Sequence, residues 1–319
     1  MGPFTDARRI ALPGSSVQLS ALEWSPDRAI GPPVLLHHGL ASSAGFWGPT
    51  AALLSGGRGT GPGGDPGARR HVVALDARGH GESDRPDDGY DFGTVTDDLH
   101  AALAALGWTS DGLHPLLVGH SWGGNAVLEY AARHPEMPAG IALVDGGFIE
   151  LQHSLTWEET ERELAPPRLE PMTWTEFAER AGTKHAGGWD ASVEAAVRHN
   201  FEELPDGTIR VRLARERHMQ ILRALWEQRP SELYAAVRCP VLLLPARRDE
   251  AGERERRFIE GKTHAVAIAE SILRLHGVRV DVSWFDDSIH DIPLQRPAEL
   301  AACLEGFAAS LVLEQASGA

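Results

Sequence analysis

The chain has 319 residues, 42% hydrophobic and 24% charged, which is enough apolar material for a full globular core. Its formal net charge of −15 argues against nucleic acid as a partner, because phosphate recognition needs clustered Lys and Arg, and no apolar run is long enough to span a membrane. Cys239 and Cys303 stand far apart in no metal-ligand spacing, and residues 1–12 lack the apolar stretch of a secretory signal, so the expectation is a cytoplasmic, cofactor-free protein without disulfides.

In chain order, residues 17–24 mix apolar and polar positions and read as an edge strand. Pro32 and Pro33 close a turn. Residues 34–37 then form a short apolar run suited to an interior parallel strand, feeding directly into HHGLASS. Residues 44–54 read as a helix ended by Gly56. Residues 56–70 are rich in glycine and proline and read as a flexible surface loop; a phosphate cradle there would need a following Lys-Ser or Lys-Thr, which is absent. Residues 71–75 are the next strand, followed by DARGHGESD, and Val95, Leu99, Ala102, Leu103 and Leu106 then recur at helical spacing.

Residues 116–125, LLVGHSWGGN, are the most informative stretch. An apolar strand-like run ends in the pattern G-x-S-x-G, formed by Gly119, Ser121 and Gly123, and residues 126–133 read as a helix. A strand that turns abruptly into a helix strains its central residue and tolerates only small neighbours. Ser121 is thereby a candidate nucleophile, and the backbone N–H of Trp122 at the helix start a candidate oxyanion donor. Residues 140–144 form another buried strand, ending at Asp145. Alternating strands and helices imply an α/β fold with a mostly parallel sheet and helices on both faces.

From residue 148 to 230 this rhythm breaks. Helical segments are expected at 174–181, 191–200 and 215–228, no strand-like run stands out, and Trp157, Trp174, Trp189 and Trp226 punctuate the stretch. The expected organisation is a core of residues 1–147 and 231–319 with a helical cap at 148–230 that covers the serine. The sheet pattern resumes at 240–244, followed by a long helix at 253–275, a strand at 278–285 and a closing helix at 297–313.

Serine is a poor nucleophile without a positioned base, and that base needs an orienting carboxylate. His290 follows a strand, sits in the loop DDSIHDIPLQRP and precedes the last helix, where a loop would bring an imidazole to the nucleophile. Asp145 and Asp249 both follow strands at the same edge of the sheet, and spacing alone leaves both open as the acid. A second oxyanion donor is expected from the loop after residues 34–37, where Leu40 follows a glycine; His38 reads as a residue that holds this loop.

With HHGLASS, DARGHGESD, GHSWGG and IHDIPLQRP in this order, the chain resembles the α/β-hydrolase superfamily over nearly its whole length. The resemblance implies an eight-stranded sheet with a cap after the sixth strand. It implies Ser121 as nucleophile, His290 as base and the N–H groups of Leu40 and Trp122 as oxyanion hole. Most members carry the acid after the seventh strand, which maps to Asp249; others, including haloalkane dehalogenase-like relatives and certain esterases, carry it after the sixth, which maps to Asp145. The PARRDEAGE stretch lacks the glycine that commonly precedes the acid, and a serine at 121 speaks against epoxide and carbon–halogen chemistry, which use an aspartate there. The expected activity is hydrolysis of a small-molecule carboxylic ester or related acyl compound through an acyl-enzyme. Thioester hydrolysis, acyl transfer, carbon–carbon cleavage and a non-catalytic ligand receptor are alternatives on the same scaffold.

Overall fold

The computed structural model describes residues 6–56, 69–110, 112–183, 188–248 and 252–317. Most of the glycine-rich stretch expected as a loop, residues 57–68, and the acid candidate Asp249 lie outside the described residues.

The chain begins with an antiparallel pair, β1 (Arg8–Pro13) and β2 (Gln18–Trp24). Strand β3 (Val34–His37) leads through a short 3-10 turn into α1 (Gly48–Leu54), β4 (Val72–Asp76) leads to α2 (Phe92–Ala105), and β5 (Leu116–His120) leads to α3 (Trp122–Arg133). After β6 (Gly140–Val144) the chain leaves the sheet through α4 (Trp157–Leu164), α5 (Trp174–Gly182), α6 (Ala191–Arg198), the hairpin of β7 (Phe201–Glu203) and β8 (Ile209–Val211), α7 (Arg215–Glu227) and α8 (Pro230–Tyr234). It returns with β9 (Val241–Leu244), β10 (Ala246–Arg247), α9 (Glu253–Leu275), β11 (Val280–Val282), β12 (Phe285–Asp286), α10 (Ile292–Gln295) and α11 (Pro297–Ser317).

The main sheet has eight strands in the order β1-β2-β4-β3-β5-β6-β9-β11. Strand β2 runs antiparallel to both neighbours and every later pair is parallel. The period of two along each strand splits the core into two layers. Leu35, Leu117, Ile141 and Leu243 face α2, α3 and α9 on one side, while Leu36, Val118, Ala142 and Leu242 face α1 and α11 on the other. Burial on both faces explains why β3, β5, β6 and β9 read as continuous apolar runs.

Three expectations need correction. Residues 17–24 are not the edge: β2 is paired on both sides, and β1 is the outer strand. Strand β1 was hidden because most of its side chains face solvent, and Arg8 and Arg9 blunt the edge while pairing with Glu23 and Asp76. The stretch 278–285 is not one strand: β11 belongs to the main sheet, and β12 pairs with β10 in a separate parallel pair. The insertion does contain strands, β7 and β8, joined through Asp206 and Gly207 (φ 82°). An Asp-Gly pair is a hairpin signal, but flanking residues this polar mask it in an apolar-run search.

The inserted segment is held to the core at α3, at α2 and at the loop before α2. Leu213 and Ile221 pack with Trp122, Phe92 and Tyr90. Asn125 Nδ2 donates to Gln228 Oε1 at 2.7 Å, and Arg217 pairs with Asp87 at 2.9 Å. The tryptophans instead pack within the insertion: Arg223 lies over both Trp157 and Trp226, and Trp174 meets Phe177 and Phe201. Among the described residues, no helix is long and apolar enough to cross a membrane.

Candidate active site

Ser121 lies between β5 and α3 with φ 53° and ψ −124°, a conformation that only a tightly determined turn holds in a non-glycine residue. The neighbouring glycines are required by close approach. A Cβ at Gly119 would collide with Gly123 O, and one at Gly123 would sit 2.5 Å from His38 O. Trp122 is the first residue of α3, so its N–H is among those that helical pairing leaves free.

The loop after β3 runs directly against the serine; a Cβ at Gly39 would lie 3.1 Å from Ser121 Cβ. Two buried imidazoles fix it. His38 Nδ1–H donates to Gly39 O at 2.7 Å, and its Nε2 accepts Ala77 N–H at 3.1 Å. His80 Nδ1–H donates to Arg78 O at 2.9 Å, and its Nε2 accepts Ala41 N–H at 3.2 Å. Each ring uses one proton and one lone pair, so both are neutral. Burial pushes His38 down to about 3 and His80 well below the ordinary histidine value. They hold the backbone on either side of Leu40, with both nitrogens of each ring committed to backbone partners.

Asp145 ends β6 and is almost wholly buried. Its Oδ2 accepts the His290 Nδ1–H at 2.7 Å, while its Oδ1 accepts Ala246 N–H at 2.9 Å and the Lys262 ammonium at 2.7 Å. Burial raises the Asp145 pKa, but the His290 bond and the charges of His290 and Lys262 outweigh it, so the carboxyl stays below its usual range. For His290, loss of surrounding water lowers the pKa; the hydrogen bond and charge of Asp145 raise it more, and the net shift is upward. The His290 side chain is 52% exposed. Its backbone oxygen accepts His120 Nε2–H at 2.9 Å, which ties the loop to the residue preceding Ser121. Gln295 Oε1 also accepts from Ser288 Oγ and Ile289 N at 2.8 Å each.

The described non-glycine residues with positive φ are Ala41, Ser121, Asp145 and Asp287. They fall one in each of the four loops that carry Leu40, the serine, the aspartate and His290. The model of the alpha/beta hydrolase fold family matches residues 32–239. The chain belongs to that family.

Among curated proteins, this hydrolase-fold chain is 29% identical over 119 residues to 2-(acetamidomethylene)succinate hydrolase of Mesorhizobium japonicum, and 35% identical over 122 residues to a bifunctional esterase/perhydrolase of Acinetobacter calcoaceticus. The first match takes in 37% of this chain and 37% of that protein, the second 38% of each. The match therefore spans little more than a third of the length of these relatives. Among solved structures, E-2-(acetamidomethylene)succinate hydrolase superposes with a TM-score of 0.69 at 20% identity over 94% of this chain and 98% of that one. A thioesterase domain from the curacin biosynthetic pathway gives 0.67 at 16% identity over 93% and 99%. At these identities the likeness shows the fold.

The hydrolase fold holds a cavity of about 1320 Å³ between Phe148, Leu155 and Leu164 of the insertion and Phe258, Lys262 and Ile268 of α9. Ser121 and His290 are not among its lining residues. Among the described residues, no group of three His, Cys, Asp or Glu is placed to hold a metal ion. Sequence reasoning missed Lys262 and the loop-holding part of His80. Lys262 left one faint signal, since the sequence has only one other lysine, Lys184.

Proposed function

We propose that the protein is a serine hydrolase that cleaves a carboxylic ester or related acyl compound through an acyl-enzyme, with Ser121 as nucleophile, His290 as base and Asp145 as acid. Ser121 Oγ attacks the carbonyl carbon while its proton passes to His290 Nε2, the nitrogen left over when Nδ1–H is spent on Asp145. The N–H groups of Leu40 and Trp122 take the developing oxyanion, His290 returns the proton to the leaving group, and water attacks the acyl-enzyme by the same route. The observation that carries this reading is the 2.7 Å pairing of His290 with the buried Asp145, on a loop tied to the residue next to Ser121.

The relatives named as hydrolase, esterase and thioesterase all fit an acyl-transfer site, and the chain's ester preference is the finer part of the proposal. Ser121→Ala should abolish turnover of p-nitrophenyl esters across a range of acyl lengths, with acyl thioesters assayed alongside. Hydrolysis by the variant at the wild-type rate would remove the nucleophile assignment. A protein that neither turns over acyl substrates nor reacts with a fluorophosphonate would be a ligand receptor on this scaffold.

A further inference from the structure

Lys262 projects from α9 into the protein with only 5% of its side chain exposed. A buried ammonium is costly unless its donors are used. Here Nζ donates to Asp145 Oδ1 at 2.7 Å and to Ala246 O at 2.8 Å, and it lies 5.3 Å from the centre of the Phe258 ring. Asp145 thereby has separate donors on its two oxygens: Oδ2 faces His290, and Oδ1 is taken by Lys262 and Ala246 N–H. Rotation of the carboxylate would break the bonds on both.

We propose that Lys262 is a positioning residue of the active site, fixing the rotation and the negative charge of the Asp145 carboxylate so that His290 is held with its proton on Nδ1. This rests on the serine-hydrolase reading above. A lysine suits the role because its compact ammonium meets a carboxylate oxygen and a carbonyl oxygen together in a closed space. Lys262 also sets the strength of the base. Its positive charge disfavours a second positive charge on the imidazole beyond Asp145, which opposes the upward pull of the carboxylate. Other groups face the pair and must be held constant: Asp291 and His120 lie beside His290, while Glu150, Arg257 and His264 share the cavity wall with Lys262.

The test is the pH dependence of Ser121 labelling by a fluorophosphonate. This probe forms the Ser121 Oγ–P bond, expels fluoride and sends the serine proton to His290, so it needs no knowledge of the natural substrate. Lys262→Met and Lys262→Gln remove the charge, and Lys262→Arg keeps it; each is checked by thermal unfolding, and whichever uncharged variant folds is profiled. The uncharged variant should move the acid limb upward by about half to one pH unit and slow plateau labelling by roughly three- to tenfold. Lys262→Arg should keep the limb at the wild-type position. Coincident limbs in the wild type and the uncharged variant would overturn the proposal, and so would an equal displacement in all variants, which marks a packing effect. A wild-type protein that is not labelled at Ser121 would remove the serine-hydrolase reading and this inference together.

Discussion

Replacing Asp145 with asparagine tests the site most sharply, because one substitution acts on catalysis and on folding by separable routes. The amide is nearly isosteric, but its NH2 group turned toward His290 would favour the tautomer with the proton on Nε2, the atom that must accept the serine proton. The corresponding change in a serine protease triad costs about 10⁴ in kcat, and at about 1.4 kcal/mol per factor of ten this is about 5.5 kcal/mol of transition-state stabilisation. Stability falls as well, since the Lys262 ammonium, 2.7 Å from Asp145 Oδ1, loses its counter-charge inside the protein. Breaking a buried pair in this way costs about 3–5 kcal/mol. The double variant Asp145→Asn/Lys262→Met removes the stranded charge, so it should recover much of the melting temperature while kcat stays low. Ester hydrolysis and thermal unfolding measured on both variants separate the two effects. If Asp145→Asn retained kcat within tenfold of wild type while Asp249→Asn lost several orders of magnitude, the acid would lie at 249 and the 2.7 Å contact of Asp145 with His290 would have only a structural role.

The acid limb of kcat/KM should lie above the ordinary histidine pKa of about 6.5, because the base must be neutral and its pKa is raised; activity is then lost as pH falls through that raised value, and a limb below 6 in a stopped-time ester assay contradicts the Asp145 contact. In Asp145→Asn the limb should move down, since the carboxylate that raises the pKa is gone, opposite to the direction expected of Lys262→Met. Gly123→Ala places a methyl group 2.5 Å from His38 O, so the variant should show a strongly lowered melting temperature or fail to accumulate as folded protein; a normal melting curve would mean the turn relaxes freely. Arg78 donates to Asp98 through two bonds of 2.6 and 2.8 Å with both side chains buried, and Arg78→Met should destabilise the chain by about 3–5 kcal/mol in urea unfolding. A loss below 1 kcal/mol would mean that Asp98 is not left as an uncompensated buried charge when the guanidinium is removed.

What could be read from the amino-acid order follows the range of each constraint. The turn at Ser121 is governed by atoms within a few positions of it, so Gly119 and Gly123 announce it without any knowledge of the fold. The buried strands β3, β5 and β6 are similarly legible, because two covered faces demand an unbroken apolar run. Strands β1, β7 and β8 present mostly exposed or half-exposed side chains, so composition carries little trace of them. The carboxylate partner of His290 belongs to a third class. Two parallel strands end at the same edge of the sheet, each followed by an aspartate, and which one meets an imidazole depends on where a loop 145 positions later comes to rest. Lys262 is more remote still, 117 positions from the carboxylate it holds and carried on a helix whose apolar face gives no hint of a buried charge. A buried ammonium tolerates few arrangements, and this one uses a carboxylate oxygen, a carbonyl and an aromatic face together. The residues most dependent on the assembled fold are therefore those proposed to set the charge and direction of His290, whereas Ser121 is specified by its own turn.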